Sequence, residues 1–316
     1  MTSFPAPIRN DPGQSDPGQS DPGRNEPGQN YAGQSTPTSP GSRSRPRLRA
    51  IALRPRSSAA IALVSVVGLL AFGWPLFITA TSPIAHGSDA PLVFALLLPL
   101  LLAIVLAEIA EGGLDVKAVA MLGVLSAVGA VLRPLGAGTG GIELVFFLLV
   151  LAGRVFGAGF GFVLGTTTLF ASALLTGGVG PWLPFQMLGA AWIGLGAGWL
   201  PRATGRAEIW LLAAYGAVAG LLYGWLLNFA FWPFAIGAGT GVSFDPADPV
   251  LANLHRFAVF SVTTSLGWDL GRAVTNVVLI LFTGRAVLGA LRRAARKAAF
   301  DAPATFAPPG AGSCST

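Results

Sequence analysis

The stretch "LAGRVFGAGFGFVLGT", Leu151–Thr166, decides how the chain is threaded. Its glycines stand at 153, 157, 161 and 165, the spacing of a small-residue seam where helices pack closely. Arg154 lies inside the same stretch, where a helix surrounded by lipid does not accept a charge. Apolar sequence continues on both sides, from about 140 to 175. One helix from Ile142 to Leu175 would be about 51 Å long at 1.5 Å per residue. A bilayer core is only about 30 Å thick. A break at Gly153–Gly159 removes both difficulties. Two spans result, and Arg154 comes to the cytoplasmic interface. Gly153 and Gly157 then belong to the turn, while Gly161 and Gly165 enter the next span.

Composition supports a membrane reading. Of 316 residues, 53% are hydrophobic and 11% charged, against roughly a quarter charged in a soluble domain. Further apolar segments lie at about 58–80, 91–110, 117–135, 182–200, 209–230 and 257–283, with Pro99 expected to kink the second. With the break, the expectation is an all-α polytopic membrane bundle of about eight transmembrane helices. Both termini are then cytoplasmic in the cell membrane. Basic residues agree: Arg43, Arg45, Arg47, Arg49, Arg54 and Arg56 precede the first span, and Arg285, Arg292, Arg293, Arg296 and Lys297 follow the last. Lys117, Arg154, Arg202 and Arg206 fall on the same side, leaving Arg133 and Arg256 outside. Seven spans would put the two basic tails on opposite faces.

The net charge of +6 is therefore assigned to topology and not to nucleic acid. Residues 11–35 carry a decaying five-residue repeat, DPGQS, with turn chemistry and nothing apolar to order it. Residues 1–57 are read as a disordered cytoplasmic tail, and 298–316 as a second one. Cys314 is alone, which excludes an intrachain disulfide and a cysteine metal site.

Catalytic patterns are missing. His86 and His255 fall in expected outer loops, and no zinc-protease, nucleophile-elbow or phosphate-loop motif occurs. The chain is expected not to be an enzyme and to hold no metal or cofactor. Polar residues inside or beside the spans are the candidates for binding. Asp269 and Arg272 are three apart on one helix face, continued by Thr275 and Asn276. Such residues serve either as a structural ion pair or as a ligand contact. Glu143 has three open roles: a cap, a partner for Arg133, or a ligand contact. "GPWLPFQM" sets Trp182 and Gln186 at an outer interface, and "YGWLLNFAFWPF" does the same for Asn228 and Trp232. Aromatic surface with a few polar groups suits a small-molecule pocket, and interfacial anchoring explains the aromatics equally well. Gly123 with Ala127, and Ser126 with Ala130, form two offset small-residue pairs, open either to internal packing or to a partner helix.

"LAGRVFGAGFGFVLG", "GPWLPFQM" and a last helix with "GRAVTNVVLIL" running into a basic tail resemble the substrate-binding S components of energy-coupling factor (ECF) transporters, of actinobacterial type. The resemblance covers residues 117–297. It implies a six-helix core over 113–297; the two additional helices of 58–112 exceed that core and depart from the family pattern. It also implies a vitamin-like solute captured from outside, a transmembrane T component and ABC ATPase subunits as partners, and no ATP hydrolysis by this chain. Gly123, Ser126, Ala127 and Ala130 match the position of the family's partner-docking face on the first core helix. Glu143, Trp182, Gln186, Asn228, Trp232, Asp269, Arg272 and Asn276 are the expected substrate contacts. No residue selects the solute; aromatic, weakly charged walls suit a large ring such as a corrinoid. A stand-alone secondary transporter and an intramembrane enzyme remain the other classes.

Overall fold

The computed structural model describes residues 55–77, 116–136, 139–235 and 239–298, with three isolated helical positions between 100 and 107. Residues 1–54 of the expected tail, all but those three positions of the span at 91–110, and residues 299–316 lie outside the described ones, while 55–57, assigned to the tail, open the first helix.

Eight α-helices occur among the described residues, with no strand. They are α1 (Pro55–Phe72), α2 (Val116–Leu135), α3 (Val145–Phe156), α4 (Ala158–Thr176), α5 (Leu183–Trp199), α6 (Gly205–Ala235), α7 (Val250–Thr264) and α8 (Leu266–Ala298). Four of them (α2, α4, α6 and α8) are long and apolar enough to cross a membrane.

The break in the opening stretch falls at Gly157. Its φ of 97° is a conformation that glycine adopts without steric cost, and it ends α3 one residue before α4 begins. The seam is real as well. Gly161 lies against the backbone of Gly194 in α5, Gly165 against Ala190, and Gly153 against Gly194 and Ala197. No β-carbon fits at these sites, so α3 and α4 share α5 as a common neighbour at backbone distance. Gly153 is therefore not part of the turn; it is helical and belongs to the seam.

α3 has only 12 residues, about 18 Å of helix. Nearly all of it is buried, from Val145 to Phe156. Its neighbours α2, α4, α5, α6 and α8 surround it, so it is the axis of the bundle. α1 packs on α5 and α6. Gly68 meets Leu188, Phe72 meets Phe185 edge-on at 4.9 Å, Ser65 Oγ accepts from Trp192 Nε1 at 3.0 Å, and Trp74 Nε1 donates to the Ala230 carbonyl at 2.7 Å.

The segment expected as one span at 257–283 is two helices. The Thr263 and Thr264 hydroxyls donate back to the carbonyls of Val259 and Phe260, and Ser265 leaves helical geometry at φ −122°. Back-bonding of this kind loosens a helix. α8 then starts afresh and runs for 33 residues, so Arg285 to Lys297 form part of a helix and not a separate tail. α7 packs its Phe257 and Phe260 against Trp232, Phe229 and Phe244, a small aromatic core apart from the main one.

Candidate functional site

One face of α6 carries Gly216, Gly220 and Gly224, one turn apart. The facing side of α8 carries Asn276, Arg272 and Asp269 in the opposite order, as antiparallel packing requires. Each glycine lies beside one of these polar side chains. Close approach of this kind exposes backbone carbonyls, and α8 uses two of them. Asn276 Nδ2 donates to the Gly216 carbonyl at 3.1 Å, and Arg272 Nη1 to that of Gly220 at 3.3 Å.

Arg272 is the hub. Nη1 also donates to Asp269 Oδ1, and Nε to Glu143 Oε2, both at 2.7 Å. Its guanidinium carbon lies 5.4 Å from the Tyr223 ring centre and 6.0 Å from that of Phe146. Phe146 and Tyr223 meet edge-on at 4.6 Å and wall the ion cluster from the core. Asp269 is only 2% exposed, whereas the Glu143 side chain is 27% exposed and forms the accessible rim. Glu143 arrives there because the turn at Gly140 and Gly141, both at positive φ, lies against the α8 backbone at Trp268 and Gly271.

Several buried polar atoms at this end have no hydrogen-bond partner: Asp269 Oδ2, Asn276 Oδ1 and Asn228 Nδ2. Buried polar atoms are seldom left so. Asp269 and Asn276 keep spare acceptor capacity, while Arg272 uses Nε and Nη1 and lies beside two aromatic rings.

The remaining expected contacts are distributed differently. Gln186 Oε1 accepts from Arg133 Nη2 at 2.9 Å, so Arg133 pairs with Gln186 and Glu143 with Arg272. Trp232 is 1% exposed inside the small aromatic core, and its Nε1 donates to the Val242 carbonyl at 2.7 Å. Trp182 is 46% exposed, and its Nε1 donates to the Gly178 carbonyl four residues before it. Neither tryptophan joins the ion cluster, and the aromatic wall that suggested a large ring loses both. Phe146 and Tyr223 replace them. Their aromatic character was visible in the sequence, but nothing local marked them as facing a charge.

The four small residues of α2 also divide. Ser126 and Ala130 are buried, with Ser126 Oγ 2.7 Å from Thr167 Oγ1 of α4. Both side chains face the interior of the bundle. Gly123 and Ala127 face outward, and nothing lies within 4 Å of a β-carbon built on Gly123.

A second ion cluster closes the other end of the bundle. Glu208 of α6 accepts from Arg154 Nε at 2.8 Å and from Arg292 Nη2 at 2.7 Å. Arg154 also donates to the carbonyls of Leu200 and Pro201, both at 3.0 Å, just beyond α5. The arginine expected at an aqueous interface is thus folded inward, 7% exposed, tying α3, α5 and α6 together. Among the described residues no group of three metal-binding side chains occurs. Comparison of the chain with family models, with curated proteins and with solved structures gives no match.

Proposed function

We propose that the chain is a membrane-embedded solute-binding component of an importer, of the S-component type, which captures a vitamin-like solute outside and works with a T component and ABC ATPase subunits. The observation that carries this reading is the Glu143–Arg272–Asp269 cluster, walled by Phe146 and Tyr223 at one end of the bundle. Ionisable side chains held inside an apolar bundle commonly mark a substrate or ion pathway.

The distance between the ion clusters supports a membrane placement. Arg272 and Arg292 are 20 residues apart on α8, about 30 Å, which is the thickness of a bilayer core. In this reading the Glu143 end faces outside and the Glu208 end the cytoplasm. The outward pair Gly123 and Ala127 on α2 is the surface offered to the T component. A solute reaching this cluster meets carboxylate and amide acceptors on α8, which suit its N–H groups, beside the Nη2 edge of Arg272.

The unpaired Asp269 Oδ2 and Asn276 Oδ1 favour a second reading, a stand-alone secondary transporter coupled to a cation. Purification from native membranes, followed by mass spectrometry of proteins and small molecules, separates the two. Co-purifying T and ATPase subunits with a bound solute is the expected result. Uptake by the isolated chain in liposomes, driven by an ion gradient alone, would establish the second reading instead.

A further inference from the structure

Among the described residues, the two ends of the bundle differ in charge. At the Glu208 end the exposed cations are Lys117, Arg202, Arg206, Arg285, Arg293 and a group completed by Arg292, Arg296 and Lys297. The carboxylate described there, Glu208, is buried and already shared by two arginines. At the opposite end Glu143, Asp245, Asp248 and Asp269 outnumber Arg133, Arg256 and Arg272 by one.

We propose that the basic end is a contact belt for the headgroups of acidic phospholipids. This rests on the membrane placement above and is independent of which solute is carried. The cations are not gathered into one patch. They stand at the start of α2, in the α5–α6 turn, at the start of α6 and along α8. Exposed apolar side chains lie within about one turn of them: Val116 beside Lys117, Trp199 before Arg202, Trp210 one turn after Arg206, and Phe282 before Arg285. Tryptophan within a turn of arginine suits the boundary between headgroups and acyl chains. Arg285 is the most telling member. It is exposed, has no carboxylate partner among the described residues, and lies seven residues, about 10 Å, deeper than Arg292. A soluble acidic protein could not reach it, whereas a lipid phosphate can be met by an arginine extending toward the interface.

The test uses the full chain in vesicles of equal parts phosphatidylcholine and phosphatidylglycerol. Mild detergent extraction followed by mass spectrometry gives the composition of the lipid retained. Several-fold enrichment of phosphatidylglycerol is expected, reduced at high salt. The combined variant Arg285→Gln, Arg293→Gln, Arg296→Gln and Lys297→Gln should lose most of it, and the matching arginine-to-lysine variant should keep it. Both leave Arg292 and its bond to Glu208 intact, and thermal melting checks that the bundle is unchanged. Retained lipid of bulk composition in the unmodified chain overturns the proposal. So does enrichment unchanged in the glutamine variant, or equal competition by inorganic phosphate. Failure of the chain to enter vesicles at all would instead overturn the membrane placement.

Discussion

Gly224 of α6 and Asp269 of α8 compete for one space: a β-carbon on Gly224 would collide with Asp269 Oδ1. The same relation, less severe, holds between Gly220 and Arg272 and between Gly216 and Asn276. The polar side of α8 lies inside the bundle because α6 has no side chains where it passes.

Gly224→Leu is therefore expected to destabilise the chain and displace Asp269 from Arg272. Overpacking alone costs about 1–3 kcal/mol, and separating the ion pair adds to it. Gly123→Leu, in open space on α2, should leave thermal melting in detergent nearly unchanged. Equal melting temperatures for the two variants would contradict this assignment.

Arg272→Met leaves Asp269 buried without its counter-charge, a loss of about 3–5 kcal/mol. Adding Asp269→Asn should recover much of that, because both charges are then absent. A double-mutant cycle in melting temperature measures the coupling. Simple additivity of the two substitutions would show that the pair does not interact as described.

Arg154 and Arg292 share Glu208 but not the same surroundings. Arg154 also holds carbonyls beyond α5 and is 7% exposed; Arg292 is 44% exposed. Arg154→Lys keeps the charge but loses the planar fork that reaches several acceptors. It should cost about 1.5–3 kcal/mol, the range for a hydrogen bond to a charged group. Arg292→Lys should cost under about 1 kcal/mol, since exposed pairs contribute little. The comparison is made by chemical denaturation of both variants in one detergent.

Gly123→Leu with Ala127→Leu should weaken co-purification of partner subunits while solute binding persists. Ser126→Leu should instead damage the chain itself, by forcing α2 away from Thr167. Unchanged assembly in the first variant would remove the outward face of α2 from partner docking.

Much of the fold was legible because length is a hard constraint. The break near Gly157 followed from a run too long for a bilayer and from the charge at Arg154. What escaped was decided by residues far apart in sequence. Asp269 and Arg272 announced themselves by spacing, but Glu143 meets Arg272 only because the Gly140–Gly141 turn folds onto α8. Glu208 gave no local sign, since its partners lie 54 and 84 positions away. The glycines of α6 read as ordinary membrane-helix composition until the polar face of α8 was placed against them. Trp232 was ambiguous for another reason: an aromatic ring near a helix end suits a pocket, an interface or a small core, and here the core prevails. The interruption at Ser265 shows in the φ of that residue, −122°, and the hydroxyl back-bonds of Thr263 and Thr264 do not mark it by themselves, since Thr167 and Thr275 make the same bonds inside unbroken helices.

The short, enclosed α3 bears on how such a protein is made. Twelve residues cannot cross a bilayer unaided, and a solitary α3 emerging from the ribosome would have no stable position in lipid. The one-residue hinge at Gly157 joins it directly to α4, which is long enough. Biogenesis of this bundle then calls for α3 and α4 to leave the insertion machinery as a single hairpin, with the arrival of α5 sealing the pair through the glycine seam.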